Sequence, residues 1–151
     1  MIDAQSLPVL QEMVRRESRS LLQYIHDSFP WTPENEQSAL AQLRQFAEEE
    51  RESAAALGRW LARNRLMVPN LGAYPSGFTT INYASLDYVL PKVAKHERDG
   101  LARLDQDLAA IKDVDARALV TALIEKKRQH LSAVEALAAA HPEPSVIRRG
   151  A

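Results

Sequence analysis

Phe46-Ala-Glu-Glu-Glu-Arg-Glu-Ser-Ala54 lies midway along a run of helix-forming residues, and its phase decides the fold. Positions three or four apart share a helix face. Leu40, Leu43, Ala47, Glu50, Ala54, Leu57 and Leu61 therefore form one stripe. Glu50 stands where a core residue belongs. A buried carboxylate is costly unless a cation or hydrogen bonds compensate its desolvation. The rest of the chain has to supply that partner.

Working outward, the stripe belongs to a segment from about Pro33 to Arg65. Before it, Leu7 to Ser28 reads as one helix with Ser6 as cap and Pro8 in the first turn. Its stripe is Leu10, Met13, Val14, Glu17, Leu21, Tyr24 and Ile25, and Glu17 is the one carboxylate in it. Between the two, Phe29-Pro-Trp-Thr-Pro33 stops one helix and starts the next: Pro30 breaks, Thr32 caps and Pro33 opens. After Arg65, Leu66 to about Thr80 is irregular, with Pro69, Asn70, Gly72, Pro75, Ser76 and Gly77 as turn formers.

A third helix follows from Thr80 or Ser85 to Lys112, with Pro91 predicting a kink or a late start. Its stripe is Leu86, Leu90, Val93, Glu97, Leu101, Leu104, Leu108 and Ile111. Asp113-Val-Asp115 links it to a fourth helix, about Ala116 to Ala140. That stripe runs Leu119 or Val120, Leu123 or Ile124, Lys127, His130 or Leu131, Val134 and Leu137. Pro142 and Pro144 end it, and the tail from residue 141 to 151 is expected to be mobile.

The expected fold is all-α: a single domain over residues 1–151, with a core of about 7–140. Short links make two antiparallel helical hairpins. A connection of about 15 residues between helices 2 and 3 spans the length of a four-helix bundle at about 3.3 to 3.6 Å per residue. Two hairpins joined by one long crossover is the ferritin-like arrangement.

Composition narrows function. The net charge of −1 gives no basic surface for nucleic acid. The absence of cysteine excludes disulfides, thiolate metal sites and cysteine nucleophiles. No apolar run approaches the roughly 18 residues of a membrane span. Met1-Ile-Asp-Ala-Gln5 lacks the basic start and apolar core of a signal peptide, so a cytoplasmic location is expected.

All four helices thus carry a charged residue in mid-stripe. In this the sequence resembles the ferritin, bacterioferritin and rubrerythrin superfamily, over roughly residues 7 to 140. That resemblance implies a site of one Glu from each of two helices and a Glu-x-x-His pair from each of the other two. Glu17 and Glu97 match the single carboxylates. Glu50 matches the Glu of the first pair, with Ser53 in place of its His. His130 matches the His of the second, with Lys127 in place of its Glu.

Three carboxylates and one ammonium have a formal charge of −2. A lysine-for-metal ion-pair network with no cofactor is one reading. One iron, manganese or zinc ion on Glu50, Glu97 and His130 is another, and a dinuclear site completed by other residues is a third. The bland alternative is a mistaken phase, since Glu48, Glu49 and Glu52 flank Glu50, Arg128 flanks Lys127, and a charge run is usually a solvated face.

Three functions follow. The preferred one is a degenerate, non-storage ferritin-like protein with a structural, interaction or stress-associated role, expected as a homodimer. The second is a metal-dependent oxidoreductase of rubrerythrin type. The third is a helical module that binds a small molecule under the crossover. The catalytic residues are unassigned.

Among the other residues, His26 is expected on the surface, His96 at a boundary and His141 as a cap. Tyr24 is expected in the core with its hydroxyl bonded. Arg15, Arg16 and Arg19 read as a solvated patch beside Glu12. Trp31, Trp60, Tyr74, Phe78, Tyr83 and Tyr88 are expected to pack the crossover or a subunit contact.

Overall fold

The computed structural model describes residues 2–28 and 32–141. Among these the chain is all-α, with five helices and no strand: α1 (Ser6–Ser18), α2 (Leu21–Ser28), α3 (Gln37–Arg63), α4 (Leu86–Ala110) and α5 (Val114–Ala140). Short 3-10 turns occupy Glu34–Glu36 and Ser76–Ile81. No described helix is long and apolar enough to cross a membrane. The expectations for Phe29 to Trp31 and for the tail from Pro142 onward lie outside the described residues.

The expected first helix is two helices. Arg19 leaves helical geometry at φ −123° and ψ 30°. Ser20 Oγ accepts the Gln23 backbone N–H at 3.3 Å. A short hydroxyl that caps a new turn competes with continuation of the old one. The stripe survives the break, because Leu10, Met13, Val14, Glu17, Leu21 and Ile25 are all buried.

The other boundaries also shift for local reasons. At the start of α1, Asp3 Oδ1 accepts the N–H groups of Gln5 and Ser6, so Asp3 takes the role expected of Ser6. Pro33 is extended ahead of a 3-10 turn, so α3 begins at Gln37 instead of Pro33. It ends in paired bonds, Leu66 N–H to Leu61 O and Arg65 N–H to Ala62 O, with Arg65 at φ +59°. This left-handed closure satisfies the last carbonyls. α4 starts at Leu86, one residue after the Ser85 alternative and ahead of Pro91, which lies inside the helix, and it ends at Ala110, two residues before Lys112. α5 starts at Val114 because Asp113 accepts the Ala116 N–H at 2.9 Å.

Two apolar clusters make the core. One gathers Leu21, Leu22, Ile25, Leu40, Leu43, Leu90, Val93 and Val134. The other gathers Leu10, Met13, Leu57, Leu61, Leu104, Val120, Leu123 and Ile124. Chain order through them gives the direction of each element. α1 lies in the second cluster and α2 in the first, α3 and α4 both run from the first to the second, and α5 returns. The connection from α3 to α4 must therefore go back: Leu66 and Leu71 pack on the second cluster, and Phe78, Ile81 and Ala84 on the first. α1 and α2 contact α3 and α4, and α5 contacts α3 and α4. On every helical path the mid-stripe charge falls between the two clusters.

Candidate functional site

All four mid-stripe charges and His130 are buried: Glu50 is 0% exposed, Lys127 1%, Glu97 and His130 2%, and Glu17 3%. The surface-charge alternative is therefore excluded for these five residues. Helix periodicity brings them together, since each replaces an apolar residue in phase with its stripe.

Lys127 is the hub. Its Nζ donates to Glu50 Oε1 at 2.7 Å and to Glu97 Oε1 at 3.3 Å. It also lies 2.9 Å from Glu17 Oε1, an ion pair without hydrogen-bond alignment. Three carboxyl groups thus surround one ammonium. His130 Nδ1 lies 2.6 Å from Glu50 Oε2, and its Nε2 lies 3.5 Å from Glu49 Oε1. Phe46 stacks on the imidazole at 4.6 Å between centroids and fixes its plane.

Burial alone would push the Glu50 carboxyl up. The Lys127 ammonium and hydrogen bonds from His130, Glu97 and Lys127 outweigh that effect and hold it well below the usual carboxylate range. Glu97 goes the other way. Burial, then the nearby Glu50 and Glu17 charges, raise it well above 4.5 against the pull of Lys127. Of the Glu50–Glu97 pair, Glu97 keeps the proton. Burial disfavours the Lys127 ammonium, but Glu17, Glu97 and Glu50 more than compensate and raise its value well above 10.5.

The donor set also bears on metal binding. One ligand atom each from Glu50, Glu97 and His130 lies within 4.8 Å of the others, and oxygen with imidazole suits zinc, manganese or iron. The Lys127 ammonium, however, takes up the contacts that a second cation would need, and Glu97 holds a proton that a metal would have to displace. The residues do not fit a dinuclear centre. A single ion there would share the Glu50 and Glu97 carboxyl groups with Lys127.

Ser53 is not part of the group: its Oγ turns back to Glu49 O at 3.1 Å. Sequence reasoning also missed several neighbours. Arg16 is not a solvated patch residue, because its guanidinium reaches Glu17 at 3.4 Å and Asp107 at 3.0 Å. Arg15 does pair with Glu12. Arg19 donates to Gly72 O at 2.8 Å and covers the Tyr74 ring, so it fastens the crossover. Buried Gln23 donates to Ala47 O at 2.6 Å, one turn before Glu50.

Gly100 lies on α4 one turn beyond Glu97, and a Cβ there would meet Lys127 Nζ at 3.7 Å. A glycine inside a helix, three residues from a buried Glu, was the available signal for a close approach. His26 is a boundary residue, 18% exposed between Asp27 and Glu48, and not a free surface group. His96 is exposed against the edge of Phe78. His141 caps α5 through Leu137 O, and Tyr24 Oη donates to Asn82 at 2.7 Å.

No protein family, curated protein or solved structure matches this chain.

Proposed function

We propose that this chain is a non-storage, ferritin-like four-helix bundle in which Lys127 occupies the position of a metal, with a structural, interaction or stress-associated role. One observation carries the reading: Lys127 Nζ lies 2.7, 2.9 and 3.3 Å from carboxylate oxygens of three separate helices. The bundle is supported by the contacts of α1 and α2 with α3 and α4, and of α5 with both. The crossover is supported by the shared direction of α3 and α4 between the two clusters. An internal cation compensates the carboxylates without a cofactor.

The competing reading is a metal-dependent oxidoreductase holding one iron, manganese or zinc ion on Glu50, Glu97 and His130. The spacing of their ligand atoms favours it. Elemental analysis of protein purified without chelator separates the two. The lysine-for-metal reading expects substoichiometric metal, with uptake appearing when Lys127→Glu is combined with Ser53→His. About one or more ions per chain in the native protein would overturn it. The proposal includes a homodimer through exposed apolar side chains such as Met67 and Tyr83, read by sedimentation.

A further inference from the structure

We propose that the cavity between α2, the crossover and the starts of α3 and α4 binds a small organic cation, an ammonium group on an apolar body. The cavity has a volume of about 670 Å³, within the range of small-molecule sites. Tyr24, Ile25, Ile81, Leu86 and Val89 form its apolar walls. The Tyr24 hydroxyl is already bonded to Asn82, so Tyr24 adds ring surface to those walls. Among the described residues that line the cavity, Glu36 is the one that carries charge. None of the charged-layer residues lines it, so this inference does not rest on what Lys127 replaces.

Glu36 is 8% exposed, and its Oε2 meets no donor among the described residues. A polar residue just before a helix often caps it, but Glu36 precedes α3 without a side-chain cap bond. What its carboxyl does meet is a second carboxyl, that of Asp87 in the first turn of α4. Neither acid forms an ion pair with a lysine or arginine among the described residues. Two acceptors in contact need a proton or a cation between them. The chain alone supplies a proton: burial first, then Asp87, raises Glu36 above 4.5 against the pull of His141. An ammonium supplies the same donors and cancels charge as well.

Other ligand classes fit less well. Among the described residues, His141 does not bring a ring nitrogen close enough to share one metal ion with both carboxyls. Apolar walls also offer nothing to the water shell that a hard cation keeps. An anion would meet a lining whose only charge has its own sign. A neutral apolar molecule would leave the two carboxyls as they are. An amine with an apolar body donates to Glu36 at one end and removes the walls from water at the other.

The test is calorimetric titration of the full chain with phenethylammonium at fixed ionic strength. Two comparison compounds divide its features: phenethyl alcohol keeps the body without the charge, and methylammonium keeps the charge without the body. The expected result is saturable uptake of one phenethylammonium per chain, with each comparison compound weaker by about tenfold or more. Glu36→Gln keeps the size of the side chain and should weaken phenethylammonium by a similar factor. Asp87→Asn, at the less buried carboxyl, should weaken it less, and this variant serves as the readout if Glu36→Gln does not fold. Equal affinity for the alcohol would overturn the proposal by reducing the cavity to an apolar one, and equal affinity for methylammonium by reducing it to an acidic surface. Absence of saturable uptake, or undiminished binding in every variant that folds, would overturn it as well.

Discussion

Lys127 and Leu123 lie one turn apart on α5, are equally withdrawn from water, and follow different rules. Leu123 belongs to an apolar cluster whose stabilisation scales with area and whose members substitute for one another within limits of volume. Lys127 belongs to a set whose members are favourable only together. Removing part of an apolar layer leaves a hole, whereas removing part of the charged layer leaves an unpaired charge. Burial alone therefore says little about what a residue contributes.

The largest expected effect is that of Lys127→Met, which strips the cation from three carboxyl groups. Urea denaturation should show a loss of about 3 to 5 kcal/mol. Replacing the whole layer together should reverse the sign. Glu17→Met, Glu50→Leu, Glu97→Met, Lys127→Met and His130→Leu in one chain are expected to be neutral or stabilising by about 1 to 4 kcal/mol. A loss as large as that of the single variant would erase the contrast between the charged and apolar layers.

The pH dependence sharpens it further. Because the folded value of Glu97 is raised, its contribution is complete below 4.5 and is lost as pH rises through the folded value. Glu50 is depressed, so its contribution is present above 4.5 and is lost as pH falls through its folded value. Glu97→Gln keeps a donor for Glu50 and cannot ionise. A urea series across pH should lose the decline on the neutral side while keeping the acid loss. A difference of one pH unit in a folded value corresponds to about 1.4 kcal/mol. The smallest effect is that of Gly100→Ala. Its Cβ makes only ordinary contact with Lys127, and helix propensity should raise stability by about 0.5 to 1 kcal/mol, measured by the same denaturation.

The helical stripes were legible because burial repeats with the helix period. The α3 stripe from Leu40 to Leu61 is buried at every one of its seven positions. The meeting of Glu50 with Lys127, 77 residues apart, followed from charges of opposite sign at the same depth. The break at Arg19 was not legible, because Ser20 can bond solvent, its own helix or a new cap, and composition does not choose among these. Arg16 was misread for a related reason: a long side chain one position from Glu17 has several outlets, and only the placement of Asp107 on α4 selects the inward one. Ser53 was assigned by alignment to a pattern. Its hydroxyl is too short to leave its own backbone, and Glu49 O is within reach.

The membership of the charged layer has a consequence for assembly. Glu17 and Glu50 come from the half of the chain before the crossover, and Glu97, Lys127 and His130 from the half after it. α4 and α5 are joined by only a short link, so their pairing is local and should form early. At that stage Lys127 has Glu97 alone among its three carboxyl partners. Its other two partners, and the acceptor of His130 Nδ1, arrive only when the α1–α3 half docks. The layer thus works as a latch between the α1–α3 and α4–α5 halves. An imidazole signal from His130 would time the closing of that latch, apart from helix formation itself.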